Sequence, residues 1–193
     1  MTFNPDIHHR SSIRLRNYDY TSNGAYFVTI CTQGKECLFG RIDGEAMVVN
    51  DAGRMVETVW YSLPERFPGI ELDDFVVMPN HVHFIMFLVG AALAPPFCSA
   101  LAPPVEIASM EKQGAASNRG AASSAPTLGT IVRAFKSISA IEVNRLLRRQ
   151  GQPLWQRNYY ERVVRNDGEL HGFREYIQHN PARWAEDENN ELT

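Results

Sequence analysis

The chain has 193 residues, 44% of them hydrophobic, and a formal net charge of -3. That suits one packed domain, or a domain with a loose insert, and it excludes a binder that is basic over its whole surface. No apolar run reaches the ~20 residues that cross a bilayer, Met1 to Arg10 lack a signal-peptide core, and Cys31, Cys37 and Cys98 show no CxxC spacing, so the expectation is a cytoplasmic protein without membrane, disulfide framework or zinc knuckle.

Residues 10–24 form a basic, aromatic arm with Arg10, Arg14 and Arg16, then Asn17 to Tyr20, then a Ser22-Asn23-Gly24 turn. Ala25 to Thr32 reads as a buried strand. Cys37 to Ile42 and Ala46 to Asn50 read as short strands around an Asp43-Gly44 hairpin turn. Asn50 or Asp51 caps a helix predicted to reach about Glu65, with Met55, Val56, Val59, Trp60 and Leu63 on one face and Pro64 and Pro68 at its exit.

Phe75 to Leu88 follows as two apolar runs split by Pro79-Asn80, which predicts a hairpin at the centre of a sheet. Side chains alternate along a strand, so His81 and His83 share one face, ~6.5 Å apart, while Val82 joins the core. Residues 90–126 change in composition. Ala92 to Pro96 is nearly repeated as Ala100 to Pro104, and Gly114 to Ser117 as Gly120 to Ser123. This low-complexity insert is too poor in large apolar residues to fold alone and is expected to be a disordered loop.

Thr127 to Arg149 is predicted as a second amphipathic helix, with Leu128, Ile131, Val132, Phe135, Ile138, Leu146 and Leu147 buried, Arg133 and Lys136 off that stripe, and Gly151 as its stop. Leu154 to Arg157 and Tyr160 to Arg165 read as short extended segments. Asn166 with Glu169 makes a capping box for a last helix that carries Leu170, Phe173 and Ile177 and ends at Asn180-Pro181. The order predicts an α+β domain over residues 1–193: a central antiparallel sheet, ferredoxin-like in plan, with two helices on one face. The charge is uneven. Between Ile131 and Arg165, eight basic residues face only Glu142 and Glu161, whereas Glu186, Asp187, Glu188 and Glu191 make an acidic tail. The basic segment is either a solvated helix face or a surface for an anionic partner.

Tyr176 and Asn180 stand four apart on the last helix and project from nearly the same side. Tyr176 is either a core aromatic or part of a site. With two imidazoles and one amide oxygen to hold a cation, a phenol makes a sensible phosphoryl-transfer group. Its ordinary pKa near 10 leaves it a poor nucleophile unless the developing charge is offset. Mixed nitrogen and oxygen donors suit Mg²⁺ or Mn²⁺ less than an all-oxygen shell does, and are workable for Mn²⁺.

Several pieces in order carry a family resemblance: Arg14-Leu15-Arg16-Asn17-Tyr18-Asp19-Tyr20 before Tyr26 to Cys31, then Val77-Met78-Pro79-Asn80-His81-Val82-His83, then Phe135-Lys136-Ser137, then Leu154 to Glu161, Val164-Arg165-Asn166, and Tyr176 to Pro181. Together they resemble the HUH single-strand DNA nucleases and, within them, the REP-associated tyrosine transposases, relatives of the IS200-like transposases. The resemblance implies an HUH endonuclease fold and a single IS200-like transposase domain. It implies metal ligands His81, His83 and Asn180, a nucleophile Tyr176, and a divalent cation, Mg²⁺ or Mn²⁺. The implied reaction is nicking and strand transfer on single-stranded or hairpin DNA of the repetitive extragenic palindromic type. A 5′-phosphotyrosine link forms and a 3′-OH is freed, by a monomer or homodimer. Beside it, the basic region with Arg133, Lys136, Arg157 and Arg165 can track a phosphate backbone. Trp155, Tyr159 and Tyr160 offer faces for unpaired bases, and Arg14, Arg16 and Tyr18 can reach a groove. Two other readings remain open on the residues alone. One is a non-catalytic nucleic-acid-binding module of the same plan, and the other a metal-dependent phosphodiesterase that uses activated water.

Overall fold

The computed structural model describes residues 24–89 and 126–190. The expectations for Arg14, Arg16 and Tyr18, and for the insert over residues 90–126 apart from Pro126, lie outside the described residues.

Four strands pair in one antiparallel sheet: β1 (Gly24–Cys31), β4 (Ile70–Val77), β5 (His81–Leu88) and β6 (Tyr160–Val164), in the order β4-β5-β1-β6. Helix α1 (Asp51–Tyr61) lies in the connection from β1 to β4, and α3 (Leu128–Leu146) in that from β5 to β6. This is the split βαβ plan that the sequence predicts. A separate hairpin of β2 (Gly40–Asp43) and β3 (Ala46–Val49) sits within the first connection, and its Gly44 takes the positive φ of +64° that the tight turn needs.

The alternation along β5 sorts the molecule into two sides. Val82, Phe84, Met86 and Leu88 point into the main core, with Tyr26, Val28 and Ile30 of β1 and the apolar faces of α1 and α3. Trp60 stacks on Phe75 and lies 4.4 Å, centroid to centroid, from Phe84. On the opposite side Phe27 and Ile85 make a smaller cluster with Ile177 of α4 (Asp167–His179), flanked by Phe173 and Leu170. The sequence places two helices on one face. The third occupies the face that a bare ferredoxin-like sheet would leave open, and it brings Tyr176 with it.

The helix ends differ from expectation for local reasons. The first helix breaks at Ser62 and resumes as a short α2 (Leu63–Arg66), because Pro64 has no N–H to continue the ladder. Helix α3 stops at Leu146, before Gly151. Arg148 takes the left-handed φ of +54°, Arg149 N–H bonds Asn144 O at 2.8 Å, and Arg148 N–H bonds Arg145 O, a Schellman closure with arginine in the place glycine usually fills. Asn166 caps α4 by accepting from Glu169 N–H, but the Glu169 carboxylate turns back to Arg165 N–H rather than to the cap itself. Asn180 keeps helical angles although it precedes a proline, and the chain winds on through a 3-10 helix at Pro181–Glu186.

Candidate active site

His81 and His83 open β5 on the α4 side of the sheet, both buried. Cross-strand register puts Thr29 directly opposite His83, and Thr29 Oγ1 lies 2.8 Å from His83 Nδ1. His81 Nδ1 meets Asn80 Oδ1 at 2.8 Å. The orientation of that amide is fixed by its other end, since Asn80 Nδ2 donates to Asn189 O at 2.8 Å and Lys35 O at 3.2 Å. Oδ1 must therefore accept, so His81 Nδ1 carries the proton and its Nε2 keeps the lone pair.

The two Nε2 atoms are 2.9 Å apart. Two imidazoles on adjacent corners of one octahedral ion, each ~2.1 Å from it, would bring their nitrogens to ~3.0 Å. Without an ion, one ring donates to the other, and because His81 Nε2 has no proton the donor is His83. Burial, with the Lys35 charge adding to it, pushes His81 down to about 3; burial, then His81, holds His83 well below the ordinary 6.5. Both rings are neutral, the state a cation needs.

A carboxylate completes the cluster. Asp187 Oδ2 stands 3.8 Å from His81 Nε2, its side chain 2% exposed, and the three residues form a group whose ligand atoms lie within 4.8 Å of one another. Asn180 Nδ2 donates to Asp187 Oδ2 at 3.2 Å, and Asn180 Oδ1 is buried without a hydrogen-bond partner among the described residues. Two neutral nitrogens, one carboxylate and one orphaned amide oxygen fit a divalent cation.

Tyr176 reaches this cluster from α4. Its Oη is 3.5 Å from His83 Nε2, a contact longer than a strong hydrogen bond, and the rings meet edge-on with centroids 5.1 Å apart. The phenol is not a core residue: it is 37% exposed and lines a cavity of about 420 Å³ with His83, Thr29, Phe173 and Tyr160. Burial of its remaining surface, and next the Asp187 charge, raise its pKa above 10. Helix α4 is held in place on its other flank. A register shift in β4 between Leu72 and Phe75 presents Asp73 and Asp74 together, and these accept from Arg174 Nε at 2.8 Å and Gln178 Nε2 at 2.9 Å.

The fold thus draws together His81, His83, Tyr176 and Asn180, which are far apart in sequence. Sequence reasoning missed Asp187, Asn80 and Thr29. The sequence places Asp187 in an acidic tail. The signal against that is Trp184, an aromatic two residues before the acidic run, which stacks 5.9 Å from His81 where the segment returns to the sheet. The sequence marks Asn80 only as a turn residue.

The residues expected to meet an anionic partner fall into groups. Arg133, Lys136 and Arg157 line a second cavity of about 490 Å³ between α3 and the 152–159 segment. Trp155 also lines it, but as a stacking surface it needs correction. The indole is 6% exposed, lies between Phe39 and Phe135, and donates through Nε1 to Ser139 Oγ at 2.9 Å, so it is mainly a core residue. Arg165 is exposed in the turn before α4 and lines neither cavity. No helix among the described residues is long and apolar enough to cross a membrane.

No family model matches the sequence. An uncharacterized protein of Haemophilus influenzae is 38% identical over 188 residues, 96% of either chain. Among solved structures, the REP-associated tyrosine transposase bound to a REP hairpin superposes with a TM-score of 0.55 at 17% identity, over 89% of this chain and 73% of that one. The chain therefore belongs to one family with the Haemophilus influenzae protein, and its fold is that of the REP-associated tyrosine transposase, in agreement with the resemblance carried by its motifs.

Proposed function

We propose that the protein is a tyrosine transposase-type endonuclease that nicks single-stranded DNA at a hairpin and transfers the strand. One observation carries the reading: Tyr176 Oη, on the last α-helix, stands 3.5 Å from His83 Nε2 beside a His81, His83 and Asp187 cluster. The solved transposase of like fold holds a REP hairpin, which points to palindromic single strands as the substrate class.

In this mechanism Tyr176 Oη attacks the phosphorus of a phosphodiester. The new bond is O–P to the phenol, and the bond that breaks is to the 3′-oxygen, which leaves as a 3′-OH after taking a proton from water. The phenolic proton passes to solvent, to which Tyr176 is partly exposed. His81, His83, Asn180 and Asp187 would hold a divalent ion, Mg²⁺ or Mn²⁺, which supplies positive charge to offset the phosphate and the forming phenolate. The chain's own part is orientation. Asn80 and Thr29 set the ring nitrogens, and Asp73 and Asp74 set the helix that carries the phenol. The 5′-phosphotyrosine is reversed by attack of a 3′-OH, which joins strands.

A labelled hairpin oligonucleotide incubated with the protein and Mn²⁺ should yield a covalent adduct that survives denaturation. Tyr176→Phe should abolish the adduct. Strand cleavage that persists in Tyr176→Phe without any adduct would instead identify a hydrolase acting through activated water.

A further inference from the structure

The cavity between α3 and the 152–159 segment takes no part in the chemistry above. Gly129, Val132 and Ser137 of the helix form one wall, and Pro153, Trp155 and Tyr159 of the segment form another. Three of its lining residues are basic, Arg133, Lys136 and Arg157, and no carboxylate lines it among the described residues. Its volume of about 490 Å³ lies in the ~300–1,000 Å³ range of small-ligand sites.

Lys136 is the informative member. Its ammonium donates to Gln156 O at 2.6 Å and Arg157 O at 3.1 Å and lies 6.0 Å from the Tyr159 ring. Those partners are neutral, so the half-buried charge is solvated by dipoles and not cancelled, and burial lowers its pKa. A partly desolvated cation beside two arginines is a receptor for an anion. Tyr159 lines this cavity and also the cavity that holds Tyr176 and His83, so one aromatic wall serves both.

We propose that this second cavity is a subsite for the single strand outside the scissile step: the strand leaving the Tyr176 cleft crosses Tyr159 and seats one nucleotide between α3 and the 152–159 segment, its phosphate among Arg133, Lys136 and Arg157. The proposal rests on the DNA-processing reading and adds to it how an unpaired flank is gripped. A base can stack on the Tyr159 face without sequence preference, while the phosphate meets the three cations.

The test compares fluorescein-labelled oligo-dT strands of about 4 and about 12 nucleotides, lengths within the usual range of single-strand site sizes. Affinities are measured by anisotropy on the full chain, and each variant is judged by its long-to-short ratio, so that a general loss cancels. Wild type should gain about tenfold or more from the longer strand, with a salt slope steeper by about 0.7 for each further phosphate held. Ser137→Trp, which fills the cavity from an exposed helical position, and Arg133→Glu should each bring the ratio toward one and remove the added slope. A ratio that survives in both variants overturns the subsite, as does a wild type that gains nothing from length. Adduct formation at Tyr176 is scored separately: its absence in wild type would sink the nuclease reading, while the ratios would still decide whether the cavity holds single-stranded DNA.

Discussion

Asn80→Ala probes how the site is set, because Asn80 bonds the His81 ring directly and, through Asn189 O, the segment that carries Asp187. Truncation removes three hydrogen bonds: the acceptor for His81 Nδ1 at 2.8 Å and the donors to Asn189 O at 2.8 Å and Lys35 O at 3.2 Å. At about 1 kcal/mol each, the loss is ~3 kcal/mol of stability, or roughly 6–12 °C in Tm for a chain of this length. The second effect is specific to the site. Released from its partner, His81 can place its proton on Nε2, where a cation should bind. Outer partners of this kind are worth about 10–100-fold in metal affinity, which is ~1.4–2.7 kcal/mol. Calorimetric titration with Mn²⁺, carried out well below the melting temperature, measures it. Asn80→Asp separates the two effects. It keeps an acceptor for His81 but aims a second oxygen at two carbonyls, so it should be less stable than Asn80→Ala and yet bind Mn²⁺ more tightly. Wild-type Mn²⁺ affinity in Asn80→Ala would refute the tautomer argument.

The buried rings also make stability depend on pH. In the unfolded chain both histidines take up protons near 6.5, whereas in the folded chain His81 resists until about 3 and burial holds His83 well below its ordinary value. Their contribution is therefore complete above ~6.5 and declines as pH falls from there toward 3, at up to about 1.4 kcal/mol per pH unit for each ring. Melting temperatures taken between about pH 7.5 and pH 4.5 should fall more steeply for wild type than for a His81→Gln, His83→Gln double variant, and equal slopes would contradict the burial of neutral rings. Ser139→Ala should cost about 1–3 kcal/mol in a denaturant titration, because it leaves Trp155 Nε1 buried without its acceptor; an unchanged midpoint would show that the indole finds another.

Much of the architecture was legible because the periodicities are clean. Val82, Phe84, Met86 and Leu88 alternate with His81 and His83, and that pattern alone fixed which side of β5 carries chemistry. The apolar stripe of α3 and the Asn50 and Asn166 caps were local signals of the same kind. What could not be read were effects that depend on tertiary return. Arg148 closes α3 because its neighbours' carbonyls need partners, a demand no helix propensity expresses. Asp187 looks like any acid in a charged run until the segment returns to the sheet with Trp184 stacked on His81. Trp155 looked like a free aromatic face, and only the packing of α3 against the 152–159 segment shows that Phe39 and Phe135 already claim it.

The paired carboxylates of β4 have a bearing on how the phenol is aimed. Arg174 and Gln178 lie one turn apart, and Tyr176, midway between them in sequence, falls on the far flank of the same helix. Rolling the helix by a single residue would swing the hydroxyl through about 100°, and both side-chain bonds to the edge strand would have to release first. An irregularity in the edge strand thus acts as a rotational detent for a reactive group on the opposite side, so a deletion at Asp73 or Asp74 would misdirect the nucleophile without altering any residue near it.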